Sequence, residues 1–348
     1  MSIERVTIAP GLEVSRIWKG GWHLAGGHGD VAEETAIDDM AAFVEAGITT
    51  LDTADIYTGV EELIGAFRRR YPALAEHIEI NDKAVPDYDA LPTITAAEIE
   101  ATVDRSLKRL GVACIDMLQF AWWDPQRGDY IAAAKVYDDI RKRGKARAIG
   151  GINFRTPEIA AMLDVGVPLV SHQLQYSLLD DRPERSGHVA LCLERGVALT
   201  CYGVVAGGFL SERWLGAAEP DEPYANRSLR KYKLIIDDFG GWALFQELLA
   251  ALDAIAKKHG TSIANVATRA ILDKPGVAAV IIGAVNRSHL ADHLAIADLK
   301  LDDADRAAIA AVTDKRQGPD GDIYELERDK PGRHGRIMKY NLSTGRDG

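Results

Sequence analysis

Short apolar runs of strand length alternate with longer amphipathic stretches along this chain. The runs lie at 14–17, 49–51, 78–80, 117–120, 146–149, 169–171, 198–201 and 279–282. Between them, 34–45, 96–110, 130–143, 157–164 and 243–259 repeat apolar positions at helical spacing. Gly47, Gly111 and Gly260 stand where helices would stop, and Thr95 and Thr156 where two would start. Eight strand–helix units without a break in composition predict an α/β protein built as a single (β/α)8 TIM barrel. A doubly wound sheet would carry a G-x-G-x-x-G turn after its first strand, and Gly20, Gly21, Gly26, Gly27 and Gly29 do not make that spacing.

Two segments exceed the needs of a barrel. Residues 211–241 are rich in charge and read as a long loop on the active-site face. Residues 315–348 read as a loosely structured tail beyond a barrel of residues 1–314. The tail either caps the barrel mouth, the preferred reading, or trails in solvent.

The chain has 348 residues, 47% of them hydrophobic, enough for one large core, and a net charge of -11. An acidic chain without a basic block argues against nucleic acid and against anionic membrane surfaces as partners. Cys114, Cys192 and Cys201 lie in apolar surroundings without metal-ligand spacing and read as buried free thiols. The N-terminal residues lack the apolar region of a signal peptide, so a cytoplasmic protein is expected, and its oligomeric state is not legible.

The chemistry concentrates after the second and third strands. Asp52 ends one, Tyr57 follows in the loop, and Lys83 follows the next. A carboxylate that holds an ammonium beside a phenol is a proton-donating device, in which the ammonium is expected to lower the phenol's pKa. Other constellations are weaker. His23 and His28 share a glycine-rich loop with Asp30, but further ligands are missing and no metal is expected. No nucleophile elbow with Ser-His-Asp partners is present, so hydrolase chemistry has no support.

Several pieces, in order, resemble the aldo-keto reductases: 47–57 (GITTLDTADIY), Lys83, Arg109-Leu110-Gly111, 116–119, 149–154 (IGGINF), 173–178 (QLQYSL), 202–208 (YGVVAGG) and Ile282-Gly283-Ala284. The resemblance implies a nicotinamide cofactor and direct hydride transfer between it and a carbonyl carbon. Tyr57 would be the general acid or base, tuned by Lys83 and Asp52. Asn153 and Gln173 would hold the carboxamide, and Tyr202 would stack on the nicotinamide ring. Gly21, Trp22, Gly203, Val204, Ala206 and Gly207 would line the rest of the cofactor's path. Ile282, Gly283, Ala284, Arg287, His289 and Asp292 would grip its adenosine end. His23, Ala121, Trp122 and Trp123 would form the substrate pocket. NADP(H) is the first choice from the family's habit, with Arg287 on the 2′-phosphate, and NAD(H) is the alternative.

Three positions depart from the family's pattern. Where it places a histidine donor after the fourth strand, this chain has Ala121. Losing one positioned donor costs on the order of a hundred-fold in rate. Either Tyr57 and Lys83 suffice, or His23 substitutes, or the protein binds cofactor as a regulator with little turnover. Ile152 stands where a serine is usual, and the adenosine segment holds only Arg287 and His289 as cations. The reading is an NAD(P)(H)-dependent oxidoreductase interconverting an aldehyde or ketone and an alcohol. The regulatory protein, or a reductase of an activated C=C bond, is the rival.

Overall fold

The computed structural model describes residues 3–26 and 32–342. Ten strands follow in order: β1 (Arg5–Ala9), β2 (Leu12–Ser15), β3 (Ile17–Gly20), β4 (Thr50–Asp52), β5 (Glu79–Ala84), β6 (Ile115–Ala121), β7 (Ala146–Ile152), β8 (Leu169–Gln175), β9 (Ala198–Tyr202) and β10 (Val277–Gly283). β3 to β10 pair in parallel and close into an eight-stranded barrel, β10 meeting β3. Helices pack around it, so the fold is a (β/α)8 barrel.

The first apolar run, 14–17, is not one strand. The chain breaks at Arg16, and β1 and β2 form an antiparallel hairpin ahead of the barrel. Leu12 and Val14 of the hairpin are buried with Trp18, Met117, Ala148 and Ala279. The hairpin therefore plugs the end of the barrel where the strands begin. Arg5 fixes it there by donating to Thr49 Oγ1 (2.6 Å) and Glu79 Oε1 (2.5 Å). The apolar pattern missed the hairpin because the run 14–17 merged the end of β2 with the start of β3 and left β1 outside it.

β5 is twice as long as its apolar run, since Asn81, Asp82 and Lys83 continue it. Lys83 lies within the strand rather than after it. The helix Ala96–Leu110 starts at Thr95 with a reciprocal capping box to Glu98 and stops at Gly111 in the left-handed region, φ 67°. Thr156 is one residue inside its helix, whose cap is Arg155. Cys192 and Cys201 are buried free thiols, and Cys114 is only half-buried.

The segment 211–241 is not a loop throughout. Arg227–Phe239 is a helix, started by Asn226 accepting from the Leu229 N–H at 2.9 Å. It buries Leu229, Tyr232, Ile235, Ile236 and Phe239, a helical spacing that the charged residues between them disguise. The tail runs back across the barrel mouth. The Arg328 guanidinium donates to the carbonyls of Trp122 and Trp123, at 2.9 and 2.8 Å. The Tyr88 N–H donates to the Tyr340 carbonyl, and the Leu342 N–H to Asp87 Oδ1.

A buried ion network pins this return. Arg182 forks onto Asp180 (2.9 and 2.7 Å) and reaches Glu327 of the tail at 3.3 Å. Burial alone would raise the Glu327 pKa, but Arg182 and Lys231 more than offset it and hold the carboxyl at about 2. A depressed carboxyl stabilises the fold above its unfolded value of 4.5 and loses that contribution as pH falls toward 2. In Glu327→Gln the charge of Arg182 loses half its compensation. We expect this variant to lose about 3–5 kcal/mol of stability at pH 7 by urea unfolding, with the deficit shrinking below pH 4. In the plug, Leu12→Ala should cost about 2–4 kcal/mol at an unchanged urea m-value.

Candidate active site

The strand ends at the tail's side of the barrel surround a cavity of about 560 Å3. Its floor is polar and fully inside the barrel. Asp52, at the end of β4, is 4% exposed and its Oδ1 accepts three hydrogen bonds. They come from Lys83 Nζ (2.6 Å), Asn81 Nδ2 (2.7 Å) and Gln173 Nε2 (2.8 Å). Asn81 and Lys83 sit two apart on β5 and so point the same way, inward. Gln119 Oε1 accepts from both amides, and its own Nε2 donates to Ser171 Oγ at 3.1 Å. The buried carboxylate and ammonium are thus paired with each other, and two amides share the carboxylate's charge, as burial requires.

Tyr57 stands at the wall above this floor. Two tight turns place it, its N–H donating to the Ala54 carbonyl and its own carbonyl accepting from Val60. The helix Val60–Arg70 follows directly. The Lys83 ammonium lies 5.1 Å from the centroid of the Tyr57 ring, and Trp22 meets that ring edge-on at 5.2 Å. The residue's partial exposure is to the cavity. Burial first, and the Asp52 charge second, hold the phenol's pKa well above the ordinary tyrosine value. The expected lowering by Lys83 is therefore overturned. The ammonium is engaged by Asp52, and desolvation of the phenolate outweighs its field.

Tyr202, at the end of β9, also lines the cavity and donates its hydroxyl to Asn153 Oδ1 at 2.8 Å. Asn153 follows β7 with φ 60°, the left-handed conformation that asparagine tolerates better than most residues. After β9 the chain turns through Gly203 and Gly207. A Cβ at Gly203 would come within 2.2 Å of the Tyr232 hydroxyl, so only glycine lets the helix Arg227–Phe239 close down here.

The expected residues separate into two sets. Trp22, Asn153, Gln173, Tyr202, Gly203, Val204, Gly207, Ile282 and Gly283 line the cavity, as do Tyr57, Lys83, Asp52, His23, Ala121, Trp122 and Trp123. Gly21, Ala206, Ala284, Arg287, His289 and Asp292 do not. Gly21 is packed behind the wall, its N–H donating to the Asp52 carbonyl. Ala206 and Ala284 are buried, and the Ala284 carbonyl accepts from Lys19 at 3.3 Å. Arg287 is exposed and pairs with Asp39 at 3.3 Å, so its charge is partly met within the protein. His289 and Asp292 lie near each other on the surface, 3.5 Å apart. The His23 ring covers Gly283 at the β3–β10 seam. His28 and Asp30 lie outside the described residues, among which no group of three or more potential metal ligands occurs.

The pattern along the chain did not point to Asn81, Lys231 or Tyr324. Asn81 follows from strand alternation with Lys83. Lys231 and Tyr324 come from the insertion and the tail, and their approach depends on tertiary packing.

The profile of the Aldo/keto reductase family matches residues 16–314. The chain belongs to this family. That places it among oxidoreductases that use nicotinamide cofactors. Aldo-keto reductase YhdN of Bacillus subtilis is 30% identical over 284 residues, 79% of this chain and 82% of that one. Flagellar radial spoke protein 5 of Chlamydomonas reinhardtii is 28% identical over 260 residues, 63% of this chain, and the match spans about half (49%) of that protein. Among solved structures, a thermostable aldo-keto reductase in complex with the inhibitor epalrestat superposes with a TM-score of 0.71 over 89% of this chain and 100% of that one. At 23% identity this last likeness speaks to the barrel alone.

For this aldo-keto reductase the raised Tyr57 pKa has a direct consequence. A group titrating well above 10 keeps its proton as the pH rises through the usual assay range. Tyrosinate absorbance near 295 nm, compared with a Tyr57→Phe variant, should show no ionisation of this residue between pH 6 and 9. A Tyr57-dependent rise in that range would contradict the electrostatics described above.

Proposed function

We propose that the protein reduces an aldehyde or ketone to an alcohol at the expense of NAD(P)H, with Tyr57 as the proton donor. The convergence of Tyr57, Lys83 and Asp52 on one cavity carries this reading. A nicotinamide, when bound, supplies the hydride. The chain's residues do the rest. Asp52, Asn81 and Gln173 fix Lys83 and one another, so the floor does not rearrange when a substrate arrives. Tyr57, neutral and desolvated, holds its proton toward the cavity and gives it to the carbonyl oxygen as negative charge develops there.

The cavity's donor set suits a dinucleotide. Among the described residues, the lining includes seven Lys or Arg side chains (Lys83, Arg227, Arg230, Lys231, Arg328, Arg336 and Lys339) against one carboxylate, Asp52. Arg227 and Arg230 stand on the helix packed against the Gly203–Gly207 turn, so we assign them to the diphosphate. Tyr202 would present its ring to the nicotinamide, and Asn153 and Gln173 their amides to the carboxamide. NADP(H) remains the first choice, with Arg287 for the 2′-phosphate. That assignment requires Arg287 to exchange Asp39 for the phosphate.

Replacing Tyr57 by Phe should lower kcat by about 10²–10⁴ while NADPH affinity stays within about threefold. Cofactor oxidation with aldehydes and ketones, beside cofactor titration of tryptophan fluorescence, measures both. Undiminished turnover in the variant would refute the assignment. Consumption of the C=C bond of an enone with its carbonyl intact would redirect it to double-bond reduction.

A further inference from the structure

The positive lining of the cavity contrasts with a chain whose net charge is -11. A cofactor diphosphate accounts for the cations near the Gly203–Gly207 turn, but not for those contributed by the tail. Arg328 is the deepest of these. Its side chain is 12% exposed and forms part of the cavity wall. It is anchored to the Trp122 and Trp123 carbonyls, the two residues that follow Ala121 at the end of β6. Both partners are neutral. Its Nη1 is buried without a hydrogen bond. The nearest carboxylate, Glu158, is 3.8 Å away and already holds the Arg155 guanidinium at 2.5 and 2.7 Å. Lys231 differs, because Glu327 lies 3.7 Å from its ammonium within a network that also holds Arg182 and Asp180.

A mostly buried guanidinium whose hydrogen-bond partners are neutral, and whose neighbouring carboxylate is shared with Arg155, gains from a further anion. Its surroundings constrain which anion. The Tyr324 ring centroid is 5.9 Å from the guanidinium carbon, and Trp123 lies 6.5 Å from Tyr324. One mostly buried guanidinium beside an aromatic ring balances a single negative charge, which suits a carboxylate better than a phosphate dianion. Resting on the reductase reading above, we infer that the substrate is a carbonyl compound bearing a carboxylate, which Arg328 receives while Tyr57 faces the carbonyl oxygen. Ala121, which precedes the two carbonyls that anchor Arg328, lines the same cavity.

Matched substrates separate this inference from the reductase reading. With NADPH present, 4-formylbenzoate should be preferred over methyl 4-formylbenzoate by about tenfold or more in kcat/KM, mainly through KM. Arg328→Gln keeps donors for the two carbonyls but removes the charge, and the preference should collapse toward unity. Arg328→Lys restores the charge and should recover part of it. Near-UV circular dichroism of both variants reports whether the tail remains docked, and the Lys variant carries the test if the Gln variant does not fold. Turnover of both aldehydes without preference, abolished in Tyr57→Phe, would overturn the carboxylate inference and leave the reductase standing. If neither aldehyde is reduced, binding decides. Benzoate should then bind the NADPH-loaded protein about tenfold more tightly than benzamide, and lose that advantage in Arg328→Gln. Equal binding would overturn the inference.

Discussion

One carboxylate oxygen organises this molecule's interior. Asp52 Oδ1 receives an ammonium and two amides inside the barrel, where an isolated charge would be costly. The three donors come from two strands, β5 and β8, and the acceptor from a third. The ion pair therefore stands only while the barrel is closed and in register. Gln119 of β6 extends the same network by accepting from Asn81 and Gln173. Polar residues that would weaken an ordinary core are here a constraint on how strands may align. The same constraint aims Lys83 at the wall where Tyr57 stands.

The barrel was legible because its strands and helices obey their own periodicities and because glycines and caps mark the boundaries. Thr95 with Glu98, and Gly111 after Leu110, are local signals that needed no tertiary knowledge. What escaped has physical reasons. The boundary between β2 and β3 hid inside one apolar run, because Arg16 interrupts it without a turn signature, and β1 fell outside every run. β5 looked short because its functional half is polar. The helix Arg227–Phe239 looked like a loop because lysines and arginines flank its buried positions. At the site, Tyr57, Lys83 and Asp52 could be picked out by residue type and position at strand ends. The sign of the Tyr57 shift could not, since desolvation depends on how deeply the packed barrel sets the ring. Arg287 and His289 came from a matched segment, and the structure puts both on the surface beside their own carboxylates.

The tail changes what the barrel can recognise. β-strand ends supply a floor that many ligands could share, whereas Tyr324 and Arg328 arrive from more than a hundred residues beyond the loop they cover. Their position depends on Glu327, which is buried only because Arg182 and Lys231 meet its charge. Recognition at the mouth and stability of the fold are thus written into adjacent residues of one short helix, Glu325–Arg328.

The hairpin at the other end has a mechanical meaning. Leu12 and Val14 seal a barrel whose interior Trp18, Met117, Ala148 and Ala279 already fill. That end is given over to cohesion, so the loops and tail at the opposite rim can differ in shape without loosening the core.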